Sequence, residues 1–389
     1  MTCKHFGRCG GCLYLDIPYP QELTQKEAAL RETLGPHGHL LEGLIPAPSQ
    51  KGYRNKMEFA FGDEGKDSNQ ALALGIRKRR SYYEVATLEN CELIPEDFRK
   101  IALHVQAYFR EAGETFFHRK RHTGNLRHLV LRRGEFTGQV LICLSTTSKL
   151  EAKLAPLITG LLQLKLDGEI VGILHSINDG VADVVKDDNI HILWGQDHFR
   201  ERLTVPHGLD FTVSAFSFFQ TNSAGAQVLY GIVNEMATQA ASTPRLAYDL
   251  YCGTGTIAQI LSPSFEKVIG IELNPSAIKA AQENGRLNNI SNCEFFAGDV
   301  LEVLSRLKPQ APDVVVVDPP RNGLHPKALA KLITLSPPSL VYVACKPESL
   351  ARDMAALVEA GYRPIRIIGV DMFPRTPHVE AIALIAKQE

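Results

Sequence analysis

The sequence has no stretch of about 18 uninterrupted apolar residues, which excludes a membrane-spanning helix. Its first residues, MTCKHFGRCGGC, contain no apolar signal core, so a cytoplasmic protein is expected. There is no internal repeat and no low-complexity linker. Net charge is nearly absent, since 42 Lys and Arg face 43 Asp and Glu, and the total implies no acidic partner. No exposed heptad suggests assembly, so a monomer is expected. What remains is an ordinary globular composition, 44% hydrophobic and 22% charged over 389 residues, long enough for two or three domains.

Charge is balanced in total but not in distribution. From Arg99 to Arg133 there are nine Lys and Arg against two Glu. The runs RKRR (77–80) and HRKRH (118–122) are the densest, and such patches suit polyanions. Each run taken singly is equally well a solvated face or loop.

Residues 1–17 form a cysteine-rich loop, and PQELTQKEAALRETLG (20–35) has the pattern of an amphipathic helix stopped by Gly35-Pro36. This segment, 18–45, is expected to pack on the C-terminal domain. A central α+β domain follows over 46–213. Its strands are MEFAFG, ALALGIR, SYYEVATLENC, GILHSIND, ADVV and HILWG, with LRHLVLRRG and GQVLICLST as a hairpin. Helices are expected over 95–112 and in KLEAKLAPLITGLLQL, with mainly antiparallel pairing. From 214 to 389 strand and helix signals alternate, which predicts a doubly wound, mostly parallel sheet. Ligands in such sheets lie beyond the carboxyl ends of the strands.

DLYCGTGTIA (249–258) joins a strand to a helix through a glycine pair, where the backbone can turn tightly and approach a ligand. Alone, Gly253, Gly255 and Ala258 would also suit a dinucleotide. Glu272 closes the second strand, where a carboxylate can take ribose hydroxyls. Asp299 closes the third, and Asp318 the fourth. Strand ends so rich in acids fit a cationic adenosine ligand better than a pyrophosphate. S-adenosylmethionine carries a sulfonium and an amino group and no phosphate. The competing view is that these acids merely cap helices.

Asp318-Pro319-Pro320-Arg321 faces the same rim. Amine methylases resemble it but place an aromatic residue where Arg321 stands. Here a cysteine, Cys345, ends the next strand, and Pro347 fixes the turn after it. A thiol there serves either as packing or as a nucleophile. Thiolate addition to C6 of a pyrimidine makes C5 nucleophilic enough to take a methyl group. A base must then remove the C5 proton. Glu380, opening the last strand, is the candidate, with a plain surface glutamate as the alternative.

QTN (220–222), DLYCGTG, DPPRNGL, CKPESLARD and MFPRTPHVE match, in order, the signatures of the RNA uracil-5-methyltransferases. YRNKMEF (53–59) and LRHLVLR (126–132) resemble that family's middle region, so the resemblance spans nearly the whole chain. It implies Cys345 as nucleophile and Glu380 as base. It also implies Gln220, Tyr251, Gly253, Glu272 and Asp318 as S-adenosylmethionine contacts, with Asp299 beside the adenine. Lys346 departs from the Asn or Asp usual in the family. A lysine there could lower the thiol's pKa, contact phosphate or remove a base contact.

Cys3, Cys9 and Cys12, with Cys91 arriving later, offer four thiolates, a set that holds zinc or an iron–sulfur cluster. The ribosomal-RNA branch of the family resembles this chain here and carries a [4Fe-4S] cluster on this spacing. The expectation is an α/β fold: a Rossmann-like methyltransferase domain plus an N-terminal and central α+β domain bearing the cluster, structural or RNA-gripping in role. The implied substrate is a hairpin-loop uridine of 23S rRNA, flipped from its stack. An extra OB-like module of some relatives is not expected here, and the basic region over 77–133 is expected to contact RNA. The alternatives are a tRNA uracil methyltransferase, an NAD-binding oxidoreductase and a non-catalytic iron–sulfur RNA-binding protein. Cys143, Cys252 and Cys293, in or beside apolar strands, are expected to be packing residues.

Overall fold

The computed structural model describes residues 3–65, 71–81, 84–118, 120–182, 189–205, 207–307 and 311–388. Helix α1 (Tyr19–Thr33) leads into strand β1 (Leu41–Ile45). Seven strands then form one sheet: β2 (Lys56–Asp63), β3 (Leu72–Arg77), β4 (Val85–Ala86), β5 (Leu126–Arg133), β6 (Gln139–Thr146), β7 (Glu169–Ile177) and β8 (Ile190–Gly195). Their order is β4-β3-β2-β5-β6-β7-β8, and every pairing is antiparallel except β6 with β7. Helices α2 (Glu96–Glu111) and α3 (Leu154–Leu162) share an apolar core with one face of this sheet.

The expected strand over 81–91 shrinks to Val85–Ala86. Beyond it the chain leaves the sheet and lies against residues 52–54, where Gly52 and Arg54 donate to the carbonyls of Glu92 and Leu93. That detour carries Cys91 toward the N-terminal loop. Tyr82 and Tyr83, Arg119 of HRKRH and most of the expected strand ADVV lie outside the described residues.

A two-stranded ribbon, β9 (His198–Leu203) with β10 (Leu209–Ser214), precedes helix α4 (Ser223–Ala240). After it come β11 (Leu246–Leu250), α5 (Thr256–Leu261), β12 (Lys267–Glu272), α6 (Pro275–Leu287), β13 (Cys293–Ala297) and α7 (Val300–Arg306). The chain ends with β14 (Val314–Val317), α8 (Pro326–Leu335), β15 (Ser339–Ala344), α9 (Pro347–Glu359), β16 (Tyr362–Val370) and β17 (Glu380–Lys387). The second sheet runs β1-β16-β17-β15-β14-β11-β12-β13. It is parallel except where β17 inserts between β15 and β16.

Strand β14 shows why this sheet is covered on both faces. Val314 and Val316 join the core with α4 and α5, whereas Val315 and Val317 join the one with α1, α8 and α9. Four consecutive valines suit a strand buried on both sides. The first of these cores also takes in Val130, Leu141, Cys143 and Leu174 of the other sheet, with Phe199 and Phe211 of the ribbon between. One apolar core therefore crosses position 214.

Candidate active site

Strands β11, β12, β14 and β15 deliver their carboxyl ends to one rim. At the end of β11 the chain turns sharply: Tyr251, Gly253 and Gly255 all have positive φ, at 66°, 53° and 74°. A Cβ at Gly255 would lie 2.7 Å from the Phe295 ring, so only glycine fits; at Gly253 it would meet nothing within 4 Å. Gly253 therefore leaves open backbone at the rim. Its N–H donates to Glu272 Oε2 at 3.3 Å, and the Asn274 N–H donates to Oε1 at 2.9 Å. Those bonds fix the Glu272 carboxylate beside the glycine turn.

Cys345 and Glu380 are brought together by the antiparallel insertion of β17. Its register on β15 ends at Ala344 opposite Ala381. The next residues along the two chains are Cys345 and Glu380, and the carboxylate is near enough to raise the thiol's pKa. The thiol is half-buried, and Pro347 starts α9 two residues on, so it sits near a helix N-terminus. Burial pushes its pKa up, and Glu380 and Asp318 add to that; Arg321 is the cation that pulls it down. Lys346 is the N-cap position of α9 and makes no side-chain cap there.

The acids beside the thiol are raised as well. Burial holds Glu380 well above the usual carboxylate range, with Asp318 adding to it. Burial takes Asp318 up to about 7. Asp249 is also raised well above its ordinary value by burial, against a hydrogen bond from Ala258 N–H at 2.9 Å. Its other oxygen, Oδ1, is buried with no protein partner. Asp249 ends no strand and looks like a core position in sequence, so the reading by strand ends missed it. The lone charged residue in an otherwise apolar strand was the available signal.

Gln220 reaches this group from the α4 side. Its side chain pairs with the hydroxyl of Tyr230, which is buried among Asp318, Asp249 and Glu380, and burial raises that phenol. Asn55 clamps the same segment, donating to Gln220 O at 3.2 Å and to Ser223 Oγ at 2.7 Å. Ser223 passes the contact on to the buried Glu201 carboxylate at 2.5 Å. Tyr230 and Asn55 lacked a sequence signal of their own, because their roles come from tertiary contact.

Tyr251 lines two cavities. One, of about 720 Å³, also has Asp299, Pro320 and His325 in its wall. The other, of about 30 Å³, is lined by Tyr230, Gly253 and Asp318. Asp299 caps α7 through an Oδ1 bond from Leu301 N–H at 2.9 Å, so the helix-cap reading holds for it alongside its place in the wall. Among the described residues no cation offsets the burial of Asp249, Asp318 or Glu380, and a cationic ligand would relieve their mutual repulsion.

The four N-terminal cysteines meet elsewhere. Cys3, Cys9, Cys12 and Cys91 line one cavity, walled by apolar groups such as Met57 and Ile76, with Arg54 at its edge. Among the described residues, no group of three or more His, Cys, Asp or Glu side chains is set to hold a metal ion. Burial pushes Cys12 up to about 12, with Cys91, Cys9 and Cys3 adding to it. Gly11 N–H donates to Cys9 Sγ at 3.2 Å, and the backbone at Leu93 and Ile94 bonds to Cys91. The RKRR run is partly spent on this loop. Arg79 donates to Cys12 O at 2.7 Å, and Lys78 pairs with Glu84 at 3.4 Å. Arg127 and Arg132 are buried, Arg127 stacked on Phe117 and Arg132 bonded to the carbonyls of Ser214 and Ser217. These four basic side chains are thus taken up by structural contacts. Cys143 is buried in an apolar core and Cys293 is half-buried against it, whereas the buried Cys252 lines the small cavity with Tyr230, Gly253 and Asp318.

A family model described as tRNA (uracil-5-)-methyltransferase matches residues 173–388. An uncharacterized RNA methyltransferase of Clostridium tetani is 43% identical over 392 residues, covering 100% of this chain and 84% of that protein. One from Clostridium acetobutylicum is 42% identical over 389 residues, covering 99% and 84%. Among solved structures, the Pyrococcus abyssi tRNA (uracil-54, C5)-methyltransferase in complex with S-adenosyl-L-homocysteine aligns with a TM-score of 0.77. It is 29% identical and covers 98% of this chain and 86% of that one.

Proposed function

Because this chain belongs to the RNA uracil-5-methyltransferase family, we propose that it methylates C5 of a hairpin-loop uridine in 23S rRNA, with Cys345 as nucleophile and Glu380 as base. The observation that carries this reading is the β15–β17 pairing, which brings a thiol and a buried carboxylate to the same end of the sheet. The Cys345 sulfur adds to C6 of the flipped uracil, forming the S–C6 bond and moving an electron pair toward C5. S-adenosylmethionine supplies the methyl group that C5 takes. Glu380 accepts the C5 proton, the C5–C6 double bond re-forms, and the S–C6 bond breaks. A carboxylate with raised proton affinity suits that task.

The acids at the rim support the cofactor placement. Asp318, Asp249, Gln220 and Tyr230 would hold the charged methionine end, Glu272 the ribose, and Asp299 the adenine side, with the ligand laid over Tyr251 and Gly253. Asp249 Oδ1, buried without a partner, is an acceptor such an ammonium group can use.

The four cysteines fit a [4Fe-4S] cluster, which we assign a structural or RNA-gripping role. Their donors are all sulfur, their cavity is apolar, and backbone hydrogen bonds reach two of the sulfurs. Zinc would require four ligands within about 2.3 Å of one point, a tighter gathering. Iron and acid-labile sulfide in equal amounts in anaerobically purified protein is the expected analysis; zinc alone would refute the cluster.

A tRNA substrate is the second reading, favoured by the likeness to the Pyrococcus abyssi enzyme. RNA transcribed with 5-fluorouridine separates the two. Fluorine cannot leave C5 as a proton, so the Cys345 adduct should survive denaturing electrophoresis. A band with 23S rRNA supports the first reading, and one with tRNA alone supports the second. Failure of both RNAs to give a band dependent on Cys345 removes the mechanism.

A further inference from the structure

Between the cysteine loop and Glu380 lies a buried group of charges that the chemistry above does not use. Glu22, Lys26 and Asp371 are sealed from solvent. Lys26 Nζ donates to Glu22 Oε1 at 2.7 Å, to Asp371 Oδ1 at 2.8 Å and to Phe373 O at 3.2 Å. The Tyr19 hydroxyl donates to Asp371 Oδ2 at 2.8 Å. Arg375 completes the set, so two cations balance two anions.

Arg375 is held from every side. Its N–H donates to Glu22 Oε1 at 2.7 Å. Its guanidinium donates to Ile17 O at 3.0 Å, Gln50 Oε1 at 2.8 Å and Glu22 Oε2 at 3.3 Å. Its carbonyl accepts from the N–H groups of Leu13 at 2.8 Å and Tyr14 at 3.2 Å. Leu13 directly follows Cys12. The Tyr53 hydroxyl donates to the neighbouring Pro374 O at 2.9 Å, and the next residue, Arg54, lines the cysteine cavity. Arg375 also has φ of 69°, a left-handed conformation that a non-glycine residue keeps only where its surroundings over-determine it.

Three buried charges and the part-buried Arg375 stabilise a fold less than an apolar cluster of the same shape would, so their use here calls for a positional reason. The loop they fix, 371–379, ends at Glu380. We propose that Arg375 is a positioning residue for Glu380, and that it ties the placement of the base to the ordered cysteine loop through residues 13–17. The inference rests on the reading that Glu380 removes the C5 proton. Addition of Cys345 and methyl transfer precede that step. A misplaced base therefore stalls the reaction after the methyl group has moved and before the S–C6 bond breaks.

The test uses the full chain with whichever RNA the wild-type protein traps as its 5-fluorouridine form. Arg375→Gly keeps the left-handed backbone at no steric cost and removes only the side chain. With ordinary uridine RNA and methyl-labelled S-adenosylmethionine, it should retain a labelled protein–RNA adduct on a denaturing gel, at least about tenfold above wild type, while turnover falls by a similar factor. Arg375→Lys, which keeps the positive charge, should lie between. Amide exchange over 371–379 should quicken in Arg375→Gly and also in Cys12→Ala. Slower turnover with no adduct in either Arg375 variant, or unchanged exchange in Cys12→Ala, would overturn the inference. Absence of any wild-type adduct with 5-fluorouridine RNA would instead overturn the reading beneath it.

Discussion

Two groups of buried acids flank the loop that leads to Glu380, and they are built in opposite ways. Glu22 and Asp371 are satisfied: Lys26, Arg375 and Tyr19 answer their oxygens at 2.7 to 3.3 Å. Asp249, Asp318 and Glu380 crowd together with no cation offsetting them among the described residues, and burial raises all three. The first group is complete within the protein. The second is left short of positive charge, which a bound cation would restore. Buried charge left unpaired by the fold thus marks where chemistry happens, and buried charge that is paired marks what holds the chemistry in place.

The largest expected effect comes from breaking the satisfied group. Lys26→Met removes the cation that Glu22 and Asp371 share, and a denaturant titration should show about 3–5 kcal/mol lost. A loss under about 1 kcal/mol would mean the pairing matters little. The same kind of change in the other group should act in reverse. Asp318→Asn removes a carboxylate that is costly to ionise, so the ligand-free protein should melt no lower than wild type. Its affinity for S-adenosylmethionine should fall by tenfold to a hundredfold, roughly 1.4–2.7 kcal/mol. A variant that is destabilised and binds normally would place Asp318 in the wrong group.

Titration sharpens the contrast. Asp318 is taken up to about 7 by burial, while its unfolded value is near 4. The folded protein therefore binds the extra proton between about pH 4 and 7, and the ligand-free stability contributed by this group declines as pH rises through that window. Cofactor affinity has the opposite slope. A cation favours ionised Asp318, so affinity weakens as pH falls below 7, by up to about tenfold per unit, and levels off above 8. Calorimetry in two buffers should find protons released on binding at pH 6.5. The smallest effect belongs to Cys252, a buried thiol in the wall beside the second group. Cys252→Ser should cost about 1 kcal/mol through burial of a hydroxyl and leave methyl transfer intact. A stable but inert Cys252→Ser protein would bring that thiol into the reaction.

The same contrast explains what the sequence made legible. Glycine turns and acids recur at strand ends over 249–318, a local pattern, so the parallel core and its rim could be read directly. Cys345 and Glu380 were nameable as reactive types, but their meeting at one end of the sheet arises from β17 inserting antiparallel between β15 and β16. Glu22 and Lys26 have the look of surface charges on an amphipathic helix. They are buried because the 371–379 loop closes over α1. β1 pairing with β16 from the far end of the chain, and Arg79 bonding the cysteine loop, were hidden for the same reason. Composition counts a lysine or arginine as solvent-facing until tertiary contact assigns it elsewhere.

The most direct test of the central claim is to follow the C5 hydrogen itself. With rRNA or tRNA carrying tritium at C5 of uridine, tritium should be released to water in step with methyl incorporated, and both should be lost in Cys345→Ala while S-adenosylmethionine still binds. Methyl incorporation without tritium release, or release that survives loss of the thiol, would contradict it.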